Sequence, residues 1–560
     1  MVKKILAKSV KRGSTLLFDQ QRTILSGAVV ISIMFLTSAI LGLVKKRLYV
    51  SVITAGPEYD VLVAAFTVTD VIFQLLIAGS LNAAFIPVFS SYISEKGREA
   101  SWRFVSTILN MTIIVLTLLA LILFIGARQV GMIFFSGFSL EQLEMFVSVL
   151  RVLLISPLFL GVSSFIAGTL QSFRRFFMPF LSPVLYNIGA IIGIVVLYPI
   201  MGIVGVVWGV ILGAFFHLII QLPALKYIGF TYHFTLDIKD TFVKSLLTLS
   251  LPRTLGIGAE QIKTLIMLNL ASMLPSGSIS FLDLGQSIIV IPISLVGVSI
   301  ASASFPQFAE LHAKGDLEGL RKTFISSFNQ ILFFIMPVVV IFVTLKIPVV
   351  RLIYGSSSEQ FPWEYTIQTS WVVAFLSLSI FAIALNHLMV RLYYARHNTK
   401  LPVIVGSTGV ITSVISAYLL MEYTQLGVSS LALAISIGAI IECFLFIYAL
   451  HREKFISISQ FSKTPGKIII VSVIMAISIY FPVQALDQIF IDTSRVVNLI
   501  ILVWLVTSFG GTLYLLLSWI FGIPELKQVL HILVKLKDFQ ESISRQFSHP
   551  TNMPQTYIDD

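Results

Sequence analysis

Lys45, Lys46 and Arg47 stand together inside an apolar run that continues through LYVSVI to Thr54. A Lys or Arg at the centre of a bilayer costs about 2.5–3.5 kcal/mol, so three facing lipid would cost on the order of 8–10 kcal/mol. Something polar has to receive them. Either they line a cavity as a binding site, or the span ends at Val44 and they occupy an external loop. Other polar residues within apolar runs are candidates for the same cavity: Asp60, Asp70, Gln74 and Asn82 in the second run, Arg253, Glu260, Gln261 and Lys263 in the seventh, and Asp283 and Gln286 in the eighth. Some have a plainer reading. Asp60 suits a helix N-terminus, where the macrodipole favours a carboxylate. Glu260 and Lys263, three residues apart on one helix face, can neutralise each other. Arg151, near a span end, can snorkel to the interface. What marks the set is its clustering in runs one, two, seven and eight.

No catalytic constellation accompanies these residues. The chain has no GxxxxGK[ST] phosphate loop, no HExxH, no Cys/His metal spacing and no nucleophile elbow. The eight histidines read as surface or loop residues, and the single Cys443 leaves no intrachain disulfide and reads as inert packing. The expectation is a transporter, not an enzyme, with no metal or cofactor, drawing on the membrane potential or a coupling ion. ATP-driven pumping would need a separate subunit.

The elements that position such residues must be membrane helices. Charged residues make up 12% of the chain and hydrophobic ones 57%, with mean hydropathy +0.94, far from the roughly 25% charge of soluble domains. About fourteen segments approach or exceed the length of about 20 residues that a spanning helix needs: 24–54, 60–93, 103–127, 146–171, 176–199, 203–224, 243–273, 279–309, 326–350, 366–390, 402–421, 428–450, 467–486 and 496–522. With the N-terminus inside, the external loops receive few cations, Arg128, Arg351 and Arg495, and the rest of the loop Lys and Arg fall on the cytoplasmic side. Both termini are then cytoplasmic. The net charge of +11 is a topology signal, with anionic lipids as partners of Lys3, Lys4, Lys8, Lys11 and Arg12, and no nucleic acid is implied. Residues 1–22 read as an uncleaved basic leader, because the apolar run after Arg22 is too long for a signal peptide. Residues 525–540 space Leu526, Val529, Leu530 and Leu533 as a surface amphipathic helix, followed by a disordered tail.

An internal repeat organises the middle. AGSLNAAFIPVFSSYISEKG (78–97) resembles GVSIASASFPQFAELHAKGD (297–316), with Pro87 and Phe89 matching Pro306 and Phe308, and Lys96-Gly97 matching Lys314-Gly315 after a one-residue gap. Phe173-Arg174-Arg175 ahead of Pro179 matches Arg396-His397-Asn398 ahead of Pro402. Both echoes lie six spans apart, which predicts parallel six-helix repeats with a pathway between two lobes.

RRFFMPFLSPVLYNI (174–188), WGVILGAFFHLIIQLPALKYIG (208–229), the segment from LPRTLGIGAEQI (251–262) through GSISF (277–281), and GVSIASASFP (297–306) resemble the MurJ/MviN lipid II flippases of the MOP exporter superfamily. The resemblance covers roughly residues 30–450, and QLPALKYIG is its most specific string. It implies an all-α polytopic fold: a first lobe at 23–224, a second at 225–450, and two further helices at 451–522 associated with a lipid-tail groove, followed by a cytoplasmic segment at 523–560. It also implies the substrate, the undecaprenyl-pyrophosphate-linked disaccharide-pentapeptide called lipid II, moved from the inner to the outer leaflet of the bacterial cytoplasmic membrane. Cell-wall synthesis proteins are then plausible partners. A diphosphate gives a cationic cavity its purpose, since Arg grips phosphate as a fork and Lys as a point charge. The chain departs from the family pattern at the site. The family's Arg-Asp pair late in helix one falls on Lys45-Lys46, its other arginines fall near Ala39, Phe73 and Ser287, and its helix-eight acid falls near Val290, while Asp60 is kept. Two other classes stay open: a cation- or proton-coupled exporter using Asp60, Asp70 and Asp283, and a non-transporting scaffold for envelope assembly.

Overall fold

Inside a bilayer there is no water to satisfy backbone N–H and C=O groups, so each apolar segment must close its own hydrogen bonds as a helix. The computed structural model describes residues 24–78, 84–355, 361–457, 463–489 and 496–527. Its helices are α1 (Ile24–Ile53), α2 (Pro57–Phe73), α3 (Ile86–Ile125), α4 (Ala127–Phe134), α5 (Leu140–Leu153), α6 (Ser156–Ser172), α7 (Phe177–Ile192), α8 (Tyr198–Met201), α9 (Ile203–Ile219), α10 (Leu222–Tyr227), α11 (Thr241–Ser272), α12 (Ser278–Pro292), α13 (Ser299–Ala313), α14 (Leu317–Thr344), α15 (Lys346–Tyr354), α16 (Trp363–Ser377), α17 (Ile380–Ala395), α18 (Lys400–Tyr423), α19 (Val428–Arg452), α20 (Lys463–Ile489) and α21 (Val496–Ile520). The fold is all-α, as expected. Among the described residues, 11 helices are long and apolar enough to span, or 12 if α16 and α17 form one broken span. The long helices α1 and α11, 30 and 32 residues, carry the cationic candidates. Counting them makes the structure consistent with fourteen spans. The basic leader, Asn82, Arg495 and nearly all of the amphipathic segment at 525–540 lie outside the described residues.

The expected boundary between the second and third spans falls at Gly97, whose φ of 79° and ψ of 178° interrupt the helix. α3 runs for 40 residues across this kink, a conformation open to glycine at little cost.

The chain divides into two compact units. One comprises Met1–Val290, Lys346–Ser379 and Lys400–Glu442; the other comprises Ile291–Leu345, Ile380–Thr399 and Cys443–Asp560. In the first, α7 and α9 approach backbone to backbone. A Cβ built on Gly209 would lie 2.1 Å from the Gly193 Cα, and one on Gly189 would lie 2.3 Å from the Gly213 Cα. Lipid offers no hydrophobic drive to helix pairing, and small residues four apart allow this close contact instead. In the second unit, α14, α20 and α21 pack together: the Tyr514 hydroxyl of α21 donates to the Phe333 carbonyl of α14 at 2.9 Å, and Gly510 faces Ile479 of α20. Cys443 is buried.

Local conformation echoes the sequence repeat. A π-helical turn at Gln74–Ala78 has its counterpart at Ile293–Val298. Left-handed residues recur in pairs: Gly97 and Gly315 at φ 79° and 73°, Arg174 and His397 at 57° and 56°, and Gly202 and Gly427 at 60° and 56°. After both Arg174 and His397 the next N–H closes back on the helix, Arg175 to Leu170 at 3.0 Å and Asn398 to Tyr393 at 2.9 Å. That is the left-handed C-cap that satisfies orphan carbonyls at a helix end.

Candidate functional site

α1 stays helical past Lys45, Lys46 and Arg47 to Ile53. The reading in which they occupy a loop after Val44 is therefore corrected. The hydrophobic residues on both sides of the triplet hold the helix, and polar partners on neighbouring helices receive two of the cations. Lys46 forms an ion pair with Asp283 of α12 and donates to the Tyr59 hydroxyl of α2 at 3.3 Å. Tyr59 in turn donates to Asp283 at 2.8 Å. The Tyr49 and Tyr59 rings lie 5.8 Å apart and back this pair with an apolar wall. Lys45 places its ammonium 5.3 Å from the centroid of the Tyr186 ring of α7 and interacts electrostatically with Asp70 of α2. Arg47 is exposed and reaches toward Gly355, just beyond α15.

Two acids, Asp70 and Asp283, thus stand among three cations, leaving one positive charge in excess. Among the described residues no carboxylate reaches ion-pair distance of Lys45 or Arg47. The Asp70 side chain is open to water, although protein surrounds it. Lys46 is committed to Asp283, whereas Lys45 and Arg47 keep their charge outside any ion pair among the described residues, an arrangement that suits an anion. In the low dielectric of a membrane interior, such charges act more strongly than on a wet surface.

Asp60 has another task. It is 3% exposed, and its carboxylate accepts from the Gly277 and Ser280 backbone N–H groups at 2.6 and 2.7 Å and from the Ser280 hydroxyl at 2.6 Å. Those N–H groups open α12, so Asp60 caps that helix from α2 and fixes where Asp283 stands. A capping side chain normally belongs to its own helix; here it comes from another.

The remaining candidates are distributed. Gln74 and Gln286 are exposed on α2's π turn and α12, and Gln261 is half-buried on α11. Arg253 falls on α11, but its side chain lies outside the described residues. Lys263 pairs with Glu260 on the same face, so the mutual neutralisation open to them is realised. Glu442 of α19, which sequence reading passed over, interacts electrostatically with both. A lone acid within a span was the signal that could have found it. The tyrosines at 59 and 186 carried no such signal, because aromatic residues are common in membrane helices. His217 corrects the surface reading of the histidines: it lies within α9, its Nδ1 2.6 Å from the Ser163 hydroxyl, which also accepts from Gln221 at 2.6 Å. Arg151 donates to the Phe124 carbonyl at 3.1 Å and stays exposed.

The sequence profile of a family described as lipid II flippase MurJ matches residues 49–513. A probable lipid II flippase MurJ of Bdellovibrio bacteriovorus is 25% identical over 536 residues, covering 91% of this chain and 97% of that protein. A lipid II flippase MurJ of Burkholderia cenocepacia is 23% identical, covering 75% and 82%. Among solved structures, a lipid II flippase MurJ in an inward closed conformation superposes with a TM-score of 0.71 at 24% identity, covering 87% of this chain and 98% of that one. An inward-facing multidrug resistance MATE transporter of the MOP superfamily gives 0.63 at 17% identity, covering 78% and 99%.

Proposed function

This chain belongs to the lipid II flippase MurJ family, and from that premise we propose that it carries the diphosphate-linked, lipid-anchored peptidoglycan precursor from the inner to the outer leaflet of the bacterial inner membrane. Lys45 and Arg47 receive the diphosphate, Lys46 with Asp283 and Tyr59 holds the cationic turn in place, and Asp70 keeps the empty site from repelling itself. The observation that carries this reading is the excess positive charge within membrane helices, at the register where the family has a cation. The departure at Lys46, where the family has an acid, is offset by an acid from another helix, Asp283.

Transport proceeds by alternating access between lobes at 23–224 and 225–450, with residues 451–522 serving the lipid tail and both termini in the cytoplasm. An anionic headgroup leaving an inside-negative cell gains about 2.3 kcal/mol per charge per 100 mV. The potential can therefore bias export without a nucleotide. Anionic lipids and cell-wall synthesis proteins are the proposed partners. The test is complementation of a flippase-depleted bacterium, with outer-leaflet accessibility of the lipid-linked precursor as the readout. Failure to restore that accessibility at normal abundance overturns the proposal.

A further inference from the structure

A second cationic cluster lies away from that site, at the turn between α6 and α7. Arg174 turns the chain with its left-handed φ, and this delivers Arg175 onto α10, its guanidinium carbon 4.7 Å from the centroid of the Tyr227 ring. Arg98, directly after the Gly97 kink, lies 5.5 Å from the Phe173 ring. Phe173 stacks near Trp102 at 5.7 Å, and Trp102 meets Phe230 at 5.6 Å. The platform beneath Arg98 is therefore a packed aromatic layer, and Phe173 sits two residues before Arg175. Arg174 and Lys226 add exposed charge beside it.

None of the ion pairs among the described residues includes Arg98, Arg174, Arg175 or Lys226. More specifically, Nε and Nη1 of Arg175 are buried and meet no acceptor among the described residues, while the side chain as a whole stays partly exposed. Leaving a buried donor unmet is costly, and more so for a charged group. A tetrahedral oxyanion is the acceptor that a planar guanidinium fork fits best. The neighbours say where that oxyanion comes from. Tyr227 and Leu222 of α10 are exposed, at 60% and 39%, and an exposed aromatic beside basic residues at the end of a span is the signature of the headgroup level.

We infer that Arg98 and Arg175, with Arg174 and Lys226 around them, form a binding site for the phosphodiester of an anionic phospholipid in the inner leaflet. The site rests on the proposed orientation, which puts this turn in the cytoplasm, but not on the flippase reaction itself. A bound phospholipid would tie the Gly97 kink of α3 to the ends of α6 and α10.

The test is native mass spectrometry of the full-length protein released from nanodiscs containing equal phosphatidylglycerol and phosphatidylcholine. Wild type should retain phosphatidylglycerol selectively. Arg98→Gln with Arg175→Gln should weaken retention about tenfold, the loss expected of one charge-assisted contact. Arg128→Gln, far along the chain in an exposed ion pair with Glu144, should change nothing. Thermal melting checks folding; should the double variant not fold, Arg98→Gln alone, at an exposed position, is the measured variant and should show a partial loss. Unselective retention by wild type, or full retention by a folded variant, overturns the inference. Displacement of phosphatidylglycerol by millimolar inorganic pyrophosphate would assign the site to a soluble phosphate, and displacement only by a polyprenyl diphosphate would assign it to substrate capture. Either also overturns it. Because no arm measures flipping, a failure of the proposed function leaves these outcomes readable.

Discussion

Lys45 and Lys46 are neighbours in sequence with opposite fates. Lys46 is spent on Asp283 and Tyr59, whereas Lys45 has a ring beneath it and a carboxylate only at longer range. Lys45→Glu is therefore expected to abolish transport at normal abundance, because it sets repulsion at the position proposed to receive the diphosphate. Lys45→Arg should retain most activity. Outer-leaflet accessibility of the precursor is the readout, and full activity in Lys45→Glu would remove this residue from the site. Asp283→Ala should act differently, lowering melting temperature and abundance, since deleting one partner of a half-buried pair strands the other charge. Pairing it with Lys46→Met should recover part of that loss, a coupling of about 1–3 kcal/mol in a double-mutant cycle. Asp60→Ala should lower stability by about 1–2 kcal/mol through loss of the α12 cap. If it left the melting temperature untouched and weakened substrate binding alone, the capping role would be wrong.

Elements in this protein are placed by backbone approach as much as by side chains. Gly189 on α7 and Gly193 directly after it meet Gly209 and Gly213 on α9 with no room for a methyl group. Gly209→Val is expected to force the two helices apart, and membrane abundance and melting temperature should both fall. Gly406→Ala is the control: nothing lies within 4 Å of a Cβ there, and alanine in a helix gains up to about 1 kcal/mol over glycine. The paired turns allow a sharper test. Arg174 and His397 both hold a left-handed conformation that costs an L-residue about 1–2 kcal/mol. His397→Gly should accordingly raise the melting temperature. A fall would mean that the imidazole makes contacts worth more than the strain, leaving the repeat as an echo of backbone alone.

At the scale of the whole molecule, sidedness follows from charge. Positive residues left in short loops stay inside, and the proposed topology accordingly has His397 in the cytoplasm and Arg128 outside. In a Cys443→Ser background, Arg128→Cys is expected to react with a membrane-impermeant maleimide on intact cells, and His397→Cys only after permeabilisation. Both positions are exposed, so accessibility within the protein does not limit either reaction. The reverse pattern would invert the proposed topology and, with it, the leaflet at which Arg98 and Arg175 stand.

Hydrophobic partitioning is a local property, so the sequence by itself determined the membrane helices and the six-helix period of the repeat. It also determined that Lys45, Lys46 and Arg47 are too costly to face lipid. A list of charges does not say which of them meet. Lys46 and Asp283 are 237 residues apart, and neither residue marks the other in the chain. Asp60 read as a candidate ligand, and only the placement of Gly277 and Ser280 against it made it a cap. Glu442 and Tyr186 gained their meaning from helices that pack beside them. Pairing is a long-range outcome of helix packing, and in a membrane, where an unmet charge is expensive, that outcome decides which cations are structural and which are left for a ligand.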